Sequence, residues 1–369
     1  MALTVLQVVP SLNEGGVERG TLEIGKALVT AGHRSIVLSG KGRLVEQLIN
    51  DGSEHIQGDI GKKSLTVVLW IKRLRKLIVE LQVDILHARS RLPAWICYFA
   101  LRGLPRSQRP RFVTTVHGLY SISKYSAVMT KADAVISVSN TVKRYIYENY
   151  PRVEKRRVHL IFRGVDTNQF PYNYRPDDSW LSNWYNRYPT LKDRFVVTLP
   201  GRLSRQKGHE EFIRIIAKAV RDNLPISGLV VGDINAKNDY IDSLMSAVED
   251  QHLPVIFTGH RKDIREIYAI SDVVLSLAAK PESFGRTVLE PLSLGVPVIG
   301  YNHGGVGEIL AALFPQGLVS PHDLVELYQT ILAFNASPPF VPETHLFSLE
   351  TMQMQTLELY ESLAVCNSR

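Results

Sequence analysis

The chain has 369 residues, 45% hydrophobic and 21% charged, with a formal net charge of +7. That length exceeds the roughly 250 to 300 residues at which one core stops growing, so two domains are expected, and the composition is that of an ordinary soluble globular protein. No apolar run reaches the ~18 residues needed to cross a bilayer, and the start, MALTVLQVVPSLNEGG, has neither a basic n-region nor a small-residue cleavage site, which predicts a cytosolic chain. Two cysteines, Cys97 and Cys366, are too few for a disulfide framework and lack metal-ligand spacing. The charge is unevenly shared: residues 1–180 carry a net +12 and residues 181–369 a net −5. A basic first half points to an anionic partner such as nucleic acid, acidic lipid headgroups or a phosphorylated glycan. The alternative is that its cations only solvate helix faces.

In chain order, the first half alternates short β-branched runs with helical stretches. LTVLQVV precedes a helix over 16–31, SIVLS precedes one over 44–50, and a long helix leads into DILHA. FVTTVH, AVISVS with a helix over 141–150, and VHLI complete this half. The second half repeats the alternation with FVVTLPG, ISGLVVGD, PVIFTG, DVVLSL and PVIGY, each followed by a helical pattern. Continuous apolar strands between helices indicate parallel sheets covered on both faces, hence two doubly wound α/β domains. PYNYRPDDSWLSNWYNRYPTLKD, 171–193, is rich in Pro, Asp and Asn and lacks apolar periodicity, so the expected division is 1–170, a linker over 171–193, and 194–340. A last helix is expected over 348–364, after SPPFVPE. Ligands of such folds bind at the carboxyl ends of the strands.

The most informative segment is AAKPESFGRTVLEPLSLGVPVIGYNHGGVGEIL. Glu282 and Glu290 stand eight residues apart there, with Ser283, Phe284, Gly285 and Arg286 leading into a helix between them. A loop that ends in glycine and runs into a helix presents outward-pointing N–H groups, which hold phosphate and polyhydroxyl ligands. Glu290, roughly two turns in, is expected to lie about one helix face from Glu282. One acid can then face a sugar and the other a ribose. Arg202 and Lys207 follow the strand FVVTLPG, His117 ends FVTTVH, and Gly15-Gly16 follow the first strand. NEGGVERG is neither a Walker loop nor a dinucleotide fingerprint.

The E-x7-E spacing, its Phe-Gly-Arg loop and the GVPVIG strand resemble the signature of glycosyltransferase family 4, the retaining group 1 enzymes of the GT-B fold. His117-Gly118, FRGVDTNQF (162–170) and GRLSRQKG fall where that family has corresponding segments, so the resemblance spans nearly the whole chain. It implies an α/β fold of two Rossmann-like domains facing a central cleft, with a C-terminal helix (345–369) that returns to the first. It further implies that His117 and Glu282 act near the reacting sugar. Gly15, Gly16, Arg202, Lys207, His260, Arg261, Phe284, Gly285, Arg286, Thr287 and Glu290 are implied to bind the donor. Among these, Arg202 and Lys207 hold the diphosphate, Glu290 the ribose, and the 260–261 loop the base. Two departures stand out: Arg163 occupies the usual Asn position before Gly164, and Ile234 stands where a second glycine is common.

No Asp-x-Asp motif stands in a context for Mg²⁺ and no His/Cys cluster offers zinc ligands, so the expected chemistry is metal-independent and without a cofactor. The leading expectation is a retaining hexosyltransferase using a nucleotide diphosphate sugar and a glycan or lipid-linked acceptor, as in bacterial cell-surface polysaccharide or lipopolysaccharide synthesis. The competing readings are a GT-B enzyme with a small acceptor, of the sucrose- or trehalose-synthase or nucleotide-sugar epimerase type, and a non-catalytic basic binding module. No nucleic-acid motif supports the last. The segment 62–82 mixes leucines with Lys72, Arg73, Arg75 and Lys76. It suits either an anionic membrane at the inner face of the cytoplasmic membrane or packing on the sheet.

Overall fold

In the computed structural model, which describes residues 2–13, 15–62, 67–235 and 238–365, the chain divides into two compact units. The first holds residues up to Arg163 together with the segment from Leu349 onward, and the second runs from Gly164 to Ser348. Cys366 and Leu65 lie outside the described residues.

The first unit is built on seven strands: β1 Thr4–Val8, β2 Arg34–Ser39, β3 Glu54–Gln57, β4 Ile85–Ala88, β5 Arg111–Val116, β6 Ala134–Ser137 and β7 Val158–Leu160. They pair in parallel in the order β3-β2-β1-β4-β5-β6-β7. The direction of winding therefore reverses between β1 and β4. The helix Leu349–Val365 packs here, its Met352, Leu359 and Tyr360 joining Val5, Ile24, Leu28, Ile85 and Val113 in one core cluster.

The second unit has six parallel strands: β8 Phe195–Pro200, β9 Ile226–Val231, β10 Val255–Phe257, β11 Val273–Ser276, β12 Val298–Tyr301 and β13 Leu318–Val319. Their order is β10-β9-β8-β11-β12-β13, so the switch lies between β8 and β11. Both sheets are thus doubly wound and Rossmann-like, as the continuous apolar strands predict. β3 and β13 escape the apolar-run criterion. β3 is the half-polar edge strand EHIQ, and β13 is two residues long.

The segment 171–193, expected as a linker, lies inside the second unit. Asp177 caps a helix over Asp178–Arg187, its carboxylate accepting the Trp180 N–H at 2.7 Å. Trp180, Trp184, Tyr188 and Leu191 follow at helical spacing. Trp184 and Leu191 are buried against Val196, Leu229 and Ile267, and Trp180 stacks on Trp184 at 4.9 Å. Residues just before this helix are fixed as well: Ser293 Oγ donates to the Phe170 carbonyl at 2.8 Å and Tyr172 Oη to the Val341 carbonyl at 2.7 Å. The stretch supplies two of the six buried residues of this core cluster, its aromatic stripe set among polar residues in the sequence.

Candidate active site

In the second unit, the loops after β8 and β11 flank the switch point, where open α/β sheets hold their ligands. Gly201 follows β8 with a positive φ of 133°, and Gly208 closes the short 3-10 turn Arg205–Lys207 in the left-handed region. A Cβ on Gly208 would stand 2.3 Å from the Leu277 carbonyl oxygen. The two loops are tied by the Ala279 N–H donating to the Gln206 carbonyl at 2.9 Å. Across this seam Lys207 Nζ pairs with Glu282 Oε1 at 2.6 Å, each side chain about a quarter exposed. Two residues 75 positions apart in sequence thus meet at one point.

The loop after β11 also meets a second helix start. Gly285, at φ 122°, caps the helix Arg286–Ser293. Beside it, the helix Gly304–Leu313 begins after β12, and its Gly305 N–H donates to the Glu282 carbonyl at 2.8 Å. A Cβ on Gly305 would lie 2.3 Å from Phe284 Cα, so only glycine allows the loop to lie on this helix end. His303 precedes that helix. Its Nε2 lies 2.8 Å from the Ala278 carbonyl, an acceptor only, so Nε2 carries the proton. Two helix N-termini therefore converge on the segment Glu282–Gly285, an arrangement suited to an anionic or polyhydroxyl ligand.

Several expected donor residues gather at this seam. Phe284 is buried, Thr287 is half-buried, and Arg286 Nε lies 3.4 Å from Glu290 Oε1 one turn along the helix. Glu290 is itself buried. Because the helix starts only at Arg286, Glu290 lies little more than one turn in, and the E-x7-E pair straddles a loop and a helix instead of sharing two helical turns. Arg202 is exposed directly after Gly201 and makes no hydrogen bond or ion pair among the described residues. His260 and Arg261 follow β10, at the far edge of the sheet. His260 is exposed, while the Arg261 guanidinium grips Asp263 at 2.8 and 2.5 Å. The structure therefore commits that cation to the helix Ile264–Ala269 and does not bring it to Lys207 and Glu282.

In the first unit, Gly15 (φ 146°) and Gly16 open the helix Gly16–Thr30 at the carboxyl end of β1, with Glu18 in its first turn. His117 follows β5. Arg163, buried beyond β7, donates through Nη2 to the Gly16 carbonyl at 3.2 Å and to His117 Nδ1 at 2.8 Å. A Cβ on Gly20 would collide with Arg163 Nη1 at 1.9 Å, so that glycine makes room for the guanidinium. Arginine has no acceptor, so His117 Nδ1 must offer a lone pair and the neutral ring carries its proton on Nε2. Burial, reinforced by Arg163, Arg89 and His87, holds the His117 pKa well below the usual imidazole range. His87 lies beneath, its Nδ1 2.6 Å from Tyr360 Oη and its Nε2 2.7 Å from Thr115 Oγ1, and burial likewise keeps it neutral. Arg89 donates to Gln7 Oε1 in the same buried centre.

Comparison with known proteins agrees with this geometry. Residues 14–169 match Glycosyltransferase Family 4, and residues 183–338 match Glycosyl transferases group 1. The chain belongs to the group 1 glycosyltransferases of family 4. The chain is 25% identical over 189 residues to a putative glycosyltransferase, YtcC, of Bacillus subtilis, a match covering 50% of this chain and 46% of the relative, so it spans less than half the length of that protein. A solved glycosyltransferase from Rickettsia africae ESF-5 superposes with a TM-score of 0.85 at 29% identity over 98% of both chains. Anabaena Alr3699/HepE, solved in complex with UDP-glucose, shares the fold with a TM-score of 0.81 at 20% identity, over 98% of this chain and all of that one.

The sequence reading missed Gly304-Gly305, although the pair follows a strand just as Gly15-Gly16 do. It also missed His87 and Arg89. A histidine and an arginine in an apolar strand and its exit are the signal that was present. Arg163 registered only as a departure from the family pattern. In the structure it is the residue that fixes the His117 ring.

Proposed function

We propose that this glycosyltransferase retains configuration while moving a hexose-type sugar from a nucleotide diphosphate sugar to a glycan or lipid-linked glycan acceptor, in cell-surface polysaccharide or lipopolysaccharide synthesis. The observation that carries the reading is the Lys207–Glu282 pair at the β8/β11 switch, between two converging helix starts. An ammonium has three donors, and one is engaged by Glu282. The remaining two suit the oxygens of a diphosphate, and the exposed Arg202 adds a guanidinium fork. Charge that builds on the leaving diphosphate is then met by cations already in place, the usual largest contribution to such a transfer. Glu290 is assigned to the ribose hydroxyls, Glu282 and the backbone of 284–286 to the sugar hydroxyls, and His117, as an Nε2–H donor, to the sugar near its reacting carbon.

The binding of UDP-glucose by the Anabaena protein supports a nucleotide sugar as donor. The reading is of a metal-independent reaction, the cations doing the work a divalent ion would otherwise do. No helix among the described residues is long and apolar enough to cross a membrane. The basic first half, with Lys72, Arg73, Arg75 and Lys76 on the helix Val67–Glu80, supports residence at an anionic membrane face on the cytoplasmic side. Incubation with UDP-, GDP- and ADP-sugars, following release of free nucleoside diphosphate with and without a lipid-linked acceptor, tests the transfer. Release from no donor would sink it.

A further inference from the structure

At the amino edge of the first sheet, the end opposite to His117 and Gly16, lies a concavity of about 440 Å³ that the transfer chemistry does not use. Arg102, Arg106, Arg109, Arg111 and Lys131 line it, against a single carboxylate, Asp133, whose Oδ2 already accepts the Phe112 N–H at 2.8 Å. β5 separates this pocket from His117, a span of about 20 Å at ~3.3 Å per residue.

Several of the cations are held from behind. Arg109 donates to the Leu104 carbonyl at 2.8 Å and Arg111 to the Leu363 carbonyl at 3.2 Å. The Arg102 guanidinium and the Lys131 ammonium flank the Tyr98 ring, 5.8 and 5.4 Å from its centroid. Among the described residues, Arg102, Arg106, Arg109 and Lys131 form no ion pair. Part of this charge complements the C-terminus of the helix Arg91–Arg102, where a cation is favoured. One cation would serve that purpose. Four of them without an ion pair around one concavity repel one another unless an anion enters, and guanidinium forks match phosphate oxygens two at a time.

A second groove adjoins the pocket and shares Arg102. Val68, Ile71 and Phe99 supply its apolar lining, with Lys72 and Arg75 beside them, in a volume of about 410 Å³. Val68 and Leu69 are 60% and 66% exposed and Phe99 is 43% exposed, so apolar surface is displayed beside the arginines. We propose that the arginine pocket binds the phosphate headgroup of an anionic lipid, while the apolar groove takes the adjoining part of its chain. The proposal rests on the membrane part of the reading above and is independent of the transfer chemistry.

The test is co-sedimentation of the whole enzyme with vesicles of phosphatidic acid in phosphatidylcholine, and with phosphatidylcholine alone. R106Q/K131Q is the pocket variant, since both side chains are exposed and their loss leaves the core untouched. K26Q/R144Q removes two exposed cations from other helices of the same unit as a charge-matched control. At about fivefold per cation near an anionic surface, R106Q/K131Q should weaken phosphatidic acid binding roughly thirtyfold. The control should bind within a few-fold of the parent, and phosphatidylcholine should bind neither. R106K should also bind more weakly than the parent, because it keeps the charge and loses the fork. Equal weakening in R106Q/K131Q and K26Q/R144Q would reduce the effect to diffuse charge and overturn the pocket. So would a parent enzyme that ignores phosphatidic acid vesicles, or one stabilised against heat by inorganic phosphate through Arg106 without pelleting. Nucleoside diphosphate release in the same samples separates the two readings: its absence would sink the transfer and leave the vesicle result standing.

Discussion

Lowering the pH is the perturbation that probes the buried centre of the first unit most directly. His87 and His117 are both held neutral, mainly by burial, with pKa values well below the ordinary imidazole range. In the unfolded chain each takes up a proton near pH 6.5. A depressed folded pKa gives stability that is fully present above the unfolded value and lost as pH falls from there towards the folded value. Each ring therefore costs up to about 1.4 kcal/mol per pH unit below about 6.5 until it titrates in the folded state, and the two losses add. Two such losses are appreciable against the 5 to 15 kcal/mol typical of a domain. In the second unit, His209 is buried at the start of the helix His209–Arg221, with its pKa brought down to about 4 by burial first, and contributes a third such term.

Hydrogen exchange of amides in β1, β4 and β5, compared with β8, β9 and β11 and measured from pH 7.5 to 5.5, resolves the two units. Opening free energies in the first unit should fall with the slope of at least two protons, and in the second with the slope of about one. His117→Asn should remove one proton from the first slope and leave the second unchanged. Long-range ¹⁵N spectra of the His117 ring should show the Nε2–H tautomer in the parent, held by the Arg163 donor at Nδ1. A flat pH profile in the first unit, or an Nδ1–H ring, would refute the account of this centre.

Lys207→Ala and Arg202→Ala should each lower turnover about a hundredfold, the usual cost of one preorganised donor to a developing charge, with the fold intact by circular dichroism. A change of only a few-fold would mean solvated cations. Glu290→Ala should weaken binding of the free nucleoside diphosphate, measured by titration calorimetry, while Glu282→Ala should mainly lower turnover; equal losses of affinity would end that division. Trp184→Ala should destabilise the second unit by about 3 to 5 kcal/mol in urea unfolding, because the ring fills the core beside Val196 and Ile267. A neutral result would return 171–193 to the status of a linker. Chelation with EDTA should leave turnover unchanged, and recovery that requires added Mg²⁺ or Mn²⁺ would contradict the metal-independent reading.

What was legible in the sequence divides along physical lines. Buried parallel strands are mostly apolar, so eleven of the thirteen strands among the described residues stand out as runs, and the half-polar edge strand EHIQ and the two-residue β13 do not. The helix Asp178–Arg187 was invisible for a different reason. Its buried face is aromatic and sparse, and its capping Asp177 sits in a Pro- and Asp-rich stretch that reads as a loop. At the candidate site, glycines and acids at fixed spacing mark the Glu282–Gly285 loop, since a backbone that must pass close to a helix end leaves a glycine in the sequence. Contacts between distant segments leave no such mark. Lys207 with Glu282, and Arg163 with His117, are 75 and 46 residues apart, and nothing in either local sequence announces its partner. The arginine that replaces the family's asparagine at position 163 shows the consequence. Read locally it is a loop irregularity, but in the fold it fixes the tautomer of the histidine assigned to the sugar. Gly20, which alone leaves space for that guanidinium, ties the substitution to a second position 143 residues away. An exchange of Arg163 for asparagine alone would therefore leave a void over Gly20 and remove the donor that makes His117 Nδ1 an acceptor.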